Sequence, residues 1–532
     1  MADPIFLKKR LAAFSVASML LGLGAVDASA QTSDNLARVN QDELASFYGR
    51  MNVVVGSGAR AFGMGGAFLA RADDATAASW NPAGLSYLRR TEFSLVGVHN
   101  DFVQKVPKFG EGHVIYTKDQ LRASIADFAG VAYPLRLWGR SGAIQASYQR
   151  AFSFSGSRRS EDSAGLNGFA TLNPLHPQAS RVNPTEFTVE GAGGFDTVSL
   201  SSGFEVSTQL RVGLSLNRWV NGFSQTVNRP DVKSVAFREI SSDWDLSGKN
   251  VNLGVIFTPI PDLNFGAVLK TPFEANVRLR KSRIDFDAKT VDVNGVLVPV
   301  TNQKTADVKI KFPRVYGFGT SYRIRNTITL SADFTRTDWS KATISDFFSL
   351  GRLKTEDDTS SRTEFDIYPS LPFPALEESA RGQVDTNQFR FGAEWVLRLG
   401  ASGNKLLPLR AGFFRDGQPF TVQLKRPQPF DPAIIGPNDP QPPIIHQTFS
   451  GVTAGVGITV GGVLLDLAYV RESGSVRAAS FTPDTTAPDP LFPDDPTKTI
   501  VVSDGIGVWD SFRTIKYNRF FASVMIRFGP RR

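Results

Sequence analysis

The sequence of 532 residues contains no cysteine and only four histidines. Without cysteine the chain has no disulfide, no thiolate ligand for a metal and no thiol nucleophile. The histidines, His99, His113, His176 and His446, lie far apart, and none belongs to an H-x-x-x-H pair. This spacing excludes a zinc-hydrolase helix. We therefore expect no catalytic residue, no bound metal and no other cofactor, and we expect that the protein is not an enzyme.

Long apolar runs are also missing beyond residue 30. None reaches the roughly 18 residues that indicate a membrane-spanning helix. With 41% hydrophobic and 21% charged residues and a mean hydropathy of −0.14, the composition is not that of a disordered chain either. The net charge of +8 is small for this length. Solvated surface side chains account for it, so we expect no nucleic-acid partner.

The N-terminus predicts export. A basic group, Lys8 to Arg10, precedes an apolar stretch from Leu11 to Val26, and Ala28-Ser29-Ala30 forms a small-x-small cleavage site. This order of parts is typical of a secretory signal peptide, and the apolar stretch is short for a spanning helix. We predict a signal peptide over residues 1–30. A retained membrane anchor is the alternative.

The hydrophobic pattern along the rest of the chain has a period of two. Between residues 209 and 217, Leu210, Val212, Leu214 and Leu216 alternate with polar residues and glycine. Alternation of this kind gives a strand with one apolar face and one polar face, whereas a helix needs a period near 3.6. The same pattern recurs over 326–338, 386–399 and 517–528.

Fourteen such segments can be counted, and the links that join them differ in length in a regular way. The predicted strands are 91–102, 126–136, 141–153, 195–206, 209–219, 249–258, 262–270, 307–322, 326–338, 386–399, 406–415, 448–460, 463–472 and 517–528. Short turns alternate with long polar links, which are 103–125, 154–194, 220–248, 271–306, 339–385, 416–447 and 473–516. Turns at one end and loops at the other are typical of an outer-membrane barrel.

The predicted fold is therefore all-β, a 14-stranded antiparallel transmembrane β-barrel over residues 91–528 with long extracellular loops. Hydrocarbon cannot satisfy an open strand edge, so the sheet must close. An even number of strands places both chain ends on the short-turn side. Trp138, Trp219 and Trp339 fall at strand ends, where an aromatic girdle is expected. A soluble secreted β-sandwich or propeller is the competing fold, because it also alternates.

The stretch from Gly58 to Leu88, GARAFGMGGAFLARADDATAASWNPAGLSYL, holds the most distinctive motif. It resembles the N-terminal region of the FadL/TodX (OmpP1) family of outer-membrane transporters of long-chain fatty acids and other hydrophobic compounds. The similarity includes an Asn-Pro-Ala element and continues at Phe312 to Gly319, at Asp333 to Trp339 and at Leu409 to Phe420.

The resemblance implies a lumen plugged by an N-terminal hatch, here residues 31–90. The hatch motif consists of Gly63, Gly65, Gly66, Asp73, Asp74, Asn81, Pro82 and Ala83. It further implies the outer membrane of a Gram-negative bacterium and passive uptake of hydrophobic small molecules, with exit sideways through a gap in the wall. Pro134 and Gly142 are the candidate positions for that gap. No residue can be assigned to ligand binding.

The implied partners are a fatty acid or hydrocarbon ligand, outer-membrane lipid and lipopolysaccharide, and the barrel-assembly machinery. Inward-pointing arginines are expected to form salt bridges between hatch and wall; they are Arg211, Arg390, Arg398, Arg519 and Arg527. The main alternative function is that of a FadL-like scaffold or shuttle in type IX protein secretion, without small-molecule transport. An outer-membrane lipase or protease would need a Ser/His/Asp cluster, which the sequence does not suggest. The hatch motif disfavours a general diffusion porin.

Overall fold

The structure is a computed structural model. It describes residues 56–110, 113–162, 185–228, 237–291, 297–342, 384–399, 405–419, 448–480, 486–488, 499–501 and 509–529. The predicted signal peptide and the first part of the predicted hatch lie outside the described residues. Among the described residues, no helix is both long and apolar enough to cross a bilayer.

Fourteen strands form one closed wall. The first seven are β1 (Thr91–Gly110), β2 (His113–Leu137), β3 (Arg140–Ser153 and Gly156–Asp162), β4 (Thr185–Glu205), β5 (Leu210–Val220 and Gly222–Asn228), β6 (Phe237–Ile260) and β7 (Leu263–Lys270 and Phe273–Val291). The other seven are β8 (Leu297–Phe312 and Val315–Ile324), β9 (Ile328–Thr337), β10 (Thr386–Leu399), β11 (Lys405–Gly417), β12 (Thr448–Val460), β13 (Val463–Ser480) and β14 (Trp509–Phe528). A short ribbon, Thr486–Pro488 with Thr499–Val501, lies apart from the wall.

Every strand pairs antiparallel with its neighbours in sequence, and the first strand pairs with the last. Thr91 faces Phe528, and the pairing of β1 with β14 continues to Lys105 and Thr514. Closure pairs the outer edges of the first and last strands with each other, as hydrocarbon requires. The predicted fold class, a 14-stranded antiparallel barrel, is confirmed. Both ends of the wall lie at the short-turn end.

The two faces of the wall have opposite chemistry. Along β5, Leu214 and Leu216 are exposed on the outside, whereas Ser215 and Asn217 are buried on the inside. Along β10, Phe391 is exposed and Arg390 is buried. An apolar outer band around a polar interior is what a bilayer selects, because the outward side chains meet lipid. The alternation therefore marks the side of the wall correctly.

Several links predicted to be long loops are shorter in the structure. The link predicted over 103–125 is largely strand, because β1 and β2 pair as far as Gly110 and His113. Strand also occupies parts of the links predicted over 154–194, 220–248, 271–306 and 473–516. Beyond the bilayer both faces of a strand meet water, so the sequence need not alternate although the backbone ladder continues.

Four strands on one half of the barrel are interrupted. The breaks separate the two segments of β3, β5, β7 and β8. In β7 and β8 they coincide with Pro272 and Pro313, which have no N–H for the ladder. In β5 the break is at Asn221, whose φ is +67°.

Two tryptophans do not belong to an aromatic girdle. Trp219 and Trp339 are buried, 5% and 2% exposed, and both line the lumen, whereas Trp138 is 89% exposed at a short turn. Trp219 faces the inside of the barrel, on the same side of β5 as Ser215 and Asn217. The girdle prediction is wrong for Trp219 because its position in the strand faces inward, and for Trp339 because it lies in the 3₁₀ helix after β9 and lines the cavity.

The wall is irregular between β2 and β3. Asp127 is an extra residue in β2, because Val96 pairs with Phe128 and Gly97 with Ala126. Between β2 and β3 the pairing runs over Phe128–Leu137 and resumes only at Arg122 with Ser157. The predicted positions Pro134 and Gly142 are regularly paired instead. We call the unpaired stretch, residues 123–127 and 150–156, the ladder break.

Residues 56–90 lie against the inward face of the wall, and we call them the inner segment. They contain two short helices, α1 (Ala59–Gly63) and α2 (Ala77–Trp80), and a 3₁₀ helix, Pro82–Tyr87. A second 3₁₀ helix, Trp339–Lys341, follows β9. Aromatic contacts attach the inner segment to the wall: Phe62 stacks on Phe521 of β14 with 4.2 Å between ring centroids. The core of the molecule thus lies inside the barrel.

Candidate functional site

Glycines allow the inner segment to lie directly on the wall. A Cβ added at Gly392 of β10 would come within 2.3 Å of the Met64 carbonyl oxygen, and one at Gly412 of β11 within 2.2 Å of the Gly65 nitrogen. Gly65 itself has φ of +67° and faces the backbone of Phe391 and Phe413. Glycine is required here both for the left-handed backbone and for the close approach.

Buried ion pairs join the inner segment to β10 and β11. Arg60 lies 3.3 Å from Glu394 and 2.6 Å from Asp73. Glu394 also accepts a 2.8 Å hydrogen bond from Arg410, which binds Asp466 at 2.6 Å. Since one carboxylate serves guanidinium groups from both parts of the chain, the loss of Glu394 would leave buried cations without their shared partner.

Asp73 lies among positive charges within the inner segment. It accepts hydrogen bonds from Arg60 and Arg71. Burial alone raises the pKa of the Asp73 carboxyl, but the positive charges of Arg60 and Arg71 outweigh burial and lower the pKa below its usual value of 3.8. Asp74 lies 3.3 Å from Arg60, and its carboxylate also accepts bonds from the Thr76 backbone and hydroxyl.

The Asn81-Pro82-Ala83 element contacts the opposite side of the wall. The Asn81 amide donates to the carbonyl oxygens of Leu69 at 2.9 Å and of Val255 at 3.1 Å, and Asn81 accepts from the Ala83 nitrogen. Pro82 begins the 3₁₀ helix, where its missing N–H is no loss. The structure therefore places the predicted motif residues along the seam between inner segment and wall.

The inward arginines bind mainly to the wall. Arg390 pairs with Asp416 at 2.6 Å, Arg519 with Glu472 and Arg527 with Glu92 at 2.6 Å. These are contacts between strands, so among the described residues the expected salt bridge to the hatch is wrong for these three arginines. Arg211 likewise pairs with Glu205 of the wall at 3.7 Å, and Arg398 is exposed. The contact of Arg390 with the inner segment is a hydrogen bond to the Gly65 carbonyl oxygen.

A cavity of about 60 Å³ lies between the inner segment and strands β2 to β9. Ala78 and Ser79 of the inner segment form part of its lining. The wall contributes two chemically distinct groups of side chains, one polar and one aromatic. No acidic residue is among the described residues that line it.

The polar group forms a continuous row across four adjacent strands, and we call Ser199, Asn217, Asn250, Asn252 and Lys270 the polar row. The Ser199 hydroxyl donates to the Asn217 carbonyl oxygen at 2.7 Å. The Asn217 amide donates to Asn250 at 3.1 Å, and Asn250 donates to Asn252 at 3.2 Å. Lys270 is the register partner of Asn252. These residues come from β4, β5, β6 and β7, so only the register brings them together.

The aromatic group consists of Trp219, Phe273 and Phe312, which we call the aromatic platform. The Trp219 ring centroid lies 4.9 Å from that of Phe273 and 5.5 Å from that of Phe312, and Phe273 stacks on Phe312 at 4.6 Å. The Trp219 indole N–H donates to Asn250 at 2.9 Å. The platform thus presents apolar surface directly beside the polar row.

The cavity adjoins the ladder break. Phe128, Gln149 and Ala151 line the cavity, and they lie at or within the edges of the break. The inner segment reaches the same place, because the Ser57 hydroxyl donates to the carboxylate of the extra residue Asp127. The cavity, the break and the start of the inner segment are therefore in one neighbourhood.

Comparison with solved structures identifies the fold. A crystal structure of a Pseudomonas aeruginosa FadL homologue is similar with a TM-score of 0.51 and 15% identity, covering 89% of this chain and 99% of that chain. The protein has the fold of a FadL-type barrel. The toluene transporters TbuX of Ralstonia pickettii (TM-score 0.46, 15% identity, 90% of this chain and 99% of that chain) and TodX of Pseudomonas putida (0.48, 12%, 89% and 98%) are also similar.

Comparison with protein-family models finds one match. A family model described as BamG matches residues 173–363, less than half of the chain. No curated protein matches in sequence. The FadL-type fold and the apolar outer band place the chain in an outer membrane.

Sequence reasoning missed the residues of the candidate site, which are those of the polar row and the aromatic platform. Each side chain points into the lumen. Because alternate residues of a strand face opposite sides, the alternation would have placed Asn217 and Trp219 in the lumen. Their proximity to Lys270 and Phe312 depends on register across several strands. The alternation pattern of a single strand contains no such information.

Proposed function

We propose that the protein carries hydrophobic small molecules, with long-chain fatty acids as one class, passively through the outer membrane. The cavity beside the ladder break is the observation that carries this proposal. A ligand in the cavity lies next to a part of the wall where neighbouring strands are not hydrogen-bonded. The fold is that of a FadL homologue, and the sequence resembles a family of transporters of hydrophobic compounds, which supports the choice of ligand class.

The proposed path follows from the positions of these parts. A ligand enters from the long-loop end, binds in the cavity and leaves sideways through the ladder break into the bilayer. Each buried CH₂ group stabilises the bound state by about 0.8 kcal/mol. Sideways exit keeps the apolar part of the ligand out of water, so concentration differences alone can drive uptake.

The inner segment is proposed to act as part of the hatch predicted over residues 31–90. Its contacts fill the lumen beside the cavity. An engineered protein cavity of about 150 Å³ binds benzene, whereas this cavity has about 60 Å³. The inner segment or the wall around it must therefore move before a whole ligand can enter.

A pair of tryptophan substitutions at neighbouring positions tests transport. Ser199→Trp fills the cavity from the inward face of β4, and Leu200→Trp adds the same side chain on the lipid-facing side. In a strain without other uptake routes, radiolabelled oleate and toluene should enter with Leu200→Trp and with the parent chain. Uptake with Ser199→Trp should fall to the empty-vector rate. Equal uptake by both variants, or none by the parent, contradicts the proposal.

A second candidate function is association with the barrel-assembly machinery, favoured by the BamG match over residues 173–363. Co-purification from outer membranes with the central barrel of that machinery tests it. A chain that purifies without the machinery after mild cross-linking would exclude the association. The secretion-scaffold alternative stays a prediction.

A further inference from the structure

A row of basic and hydroxyl side chains crosses the outer face of the wall near the long-loop end. Register pairs Arg415 of β11 with Ser450 of β12, and Ser450 with Ser473 of β13. Ser473 pairs in turn with Lys516 of β14. Arg471 lies two residues before Ser473, on the same face of β13. We call Arg415, Ser450, Arg471, Ser473 and Lys516 the outer basic row.

The cations of this row face away from the lumen and from the acidic residues next to them in sequence. Arg415 is exposed, whereas Asp416 is buried on the inside of the wall. Arg471 is likewise exposed and Glu472 is buried. Within the described part of the chain, Arg415, Arg471 and Lys516 form no ion pair, because both neighbouring carboxylates bind arginines of the lumen.

The next strand does not neutralise the row either. Asp101 of β1 is the register partner of Asn518, two residues from Lys516. The Asp101 carboxylate lies 3.5 Å from the Arg122 guanidinium of β2 and accepts a 2.6 Å hydrogen bond from Gln120. Since Asp101 already has a cation beside it, the three positive charges of the outer basic row are left for a group outside the chain.

Exposed apolar side chains cover the wall between the row and the short-turn end. On the four strands of the row they include Phe413, Val452, Leu467 and Phe520. This part of the apolar band meets lipid acyl chains. The row therefore lies at the level of the lipid head groups in the leaflet on the long-loop side. Long loops of outer-membrane barrels are extracellular, so this is the external leaflet.

The spacing of the cations suits two phosphate groups. Arg471 pairs in register with Asn518, so Lys516 is its diagonal neighbour, at roughly 7–8 Å, and both long side chains can reach one phosphate. Arg415 is three strands away from Lys516, about 14 Å across the sheet, and needs a second phosphate. The serine hydroxyls lie between these two positions and can bond to sugar oxygens.

We propose that the outer basic row binds one diphosphorylated glycolipid of the external leaflet, the lipid A part of lipopolysaccharide. One phosphate lies at Arg471 and Lys516, the other at Arg415, and the acyl chains lie on the apolar band. A phospholipid has a single phosphate and contacts only one end of the row. Because the row is on the outside of the wall and the cavity is inside it, this inference is independent of the proposed function.

Equilibrium binding to the full mature chain in detergent micelles tests the site. The probes are radiolabelled diphosphoryl lipid A, monophosphoryl lipid A and phosphatidylglycerol. Each basic residue near an anionic lipid contributes roughly a fivefold gain in affinity. The parent chain should therefore bind the diphosphoryl form roughly fivefold more tightly than the monophosphoryl form. The combined variant Arg415→Gln, Arg471→Gln, Lys516→Gln should weaken its binding roughly a hundredfold.

A matched control is available on the other side of the barrel. Lys309 is also exposed on the outer face, but it is paired with Glu274 at 3.3 Å. Arg471→Gln alone should weaken binding of diphosphoryl lipid A roughly fivefold, whereas Lys309→Gln should leave it within about twofold. Arg471→Lys keeps the charge and should retain most of the affinity. Heat-modifiable mobility in gels checks folding, and the single variants decide if the combined variant does not fold.

Three results would overturn the inference. Equal binding of diphosphoryl lipid A by the parent chain and the Arg471→Gln and combined variants would show that the row is not the site. An equal loss in Lys309→Gln would reduce the effect to general surface charge. Equal affinity of the parent chain for diphosphoryl lipid A and phosphatidylglycerol would show that the surface does not select the glycolipid.

Discussion

Gly213 shows how much a single hydrogen atom in place of a side chain matters in this lumen. A Cβ at this position would lie 2.1 Å from the Ala83 nitrogen and 2.2 Å from the Pro82 carbonyl carbon. Gly213→Ala must therefore displace the Asn81-Pro82-Ala83 element, at a cost of about 1–3 kcal/mol. Urea unfolding in lipid vesicles measures the loss. Gly97→Ala is the control, because its Cβ would find only the Ile125 carbonyl oxygen at 3.8 Å.

Glu394 is the residue on which the buried charges of the inner segment and wall converge. Glu394→Gln leaves Arg60 and Arg410 without a shared carboxylate, so we expect a loss of about 3–5 kcal/mol in the free energy of unfolding. The matched control is Glu274→Gln, which breaks an exposed pair with Lys309 at 3.3 Å. Exposed pairs contribute at most about 1 kcal/mol. Similar losses for both variants would contradict the role assigned to Glu394.

The ion pairs of Asp73 should make the stability of the inner segment depend on pH. Its pKa is lowered in the folded chain, because Arg60 and Arg71 outweigh the opposing effect of burial. Its stabilising contribution is therefore present above the ordinary value of 3.8 and is lost as the pH falls through the lower, folded-state pKa. The part of the protease resistance of the inner segment that depends on Asp73, measured as the difference between the parent chain and Asp73→Asn, should stay constant from about pH 7 to pH 5 and decline only below about pH 4. Asp73→Asn should remove this part of the acid response.

At the scale of elements, the second strand combines regular pairing with an unpaired stretch. Over residues 128–132 it pairs with β1 on one side and β3 on the other, and the pairing with β3 continues to residue 137, whereas over 123–127 the partner on the β3 side is missing. Amides without a ladder partner exchange faster with solvent. Hydrogen exchange of the nanodisc-embedded chain should show faster exchange over 123–127 and 150–156 than over 128–137. Equal protection of these peptides would mean that the wall is sealed there.

At the scale of the whole molecule, the apolar band fixes the barrel in lipid. Leu214 lies in the middle of the outward apolar positions of β5, while Val206 lies at the short turn before this strand. Leu214→Arg should cost about 2–4 kcal/mol of folding free energy in vesicles, and Val206→Arg at most about 1 kcal/mol. Reversible unfolding in lipid vesicles measures both. A cost independent of position would be inconsistent with a membrane-spanning wall.

The sequence by itself determined the strand character, the number of strands and the side on which each alternating residue lies. Lipid outside and a polar lumen inside impose a period of two, and this pattern is local. The alternation alone therefore places Arg390 inside the wall and Leu216 outside it. The alternation does not show how far the strands extend beyond the bilayer, because residues there meet water on both faces and no longer need to alternate.

Only the tertiary structure decided where the candidate site lies. Lys270, Asn252 and Trp219 are on separate strands, and the register across the wall makes them neighbours. The extra residue Asp127 lies at the edge of the ladder break, and no local pattern distinguishes it from an ordinary strand residue. The position of the site depends on the closed barrel, because closure brings inward side chains from distant parts of the chain into one narrow lumen.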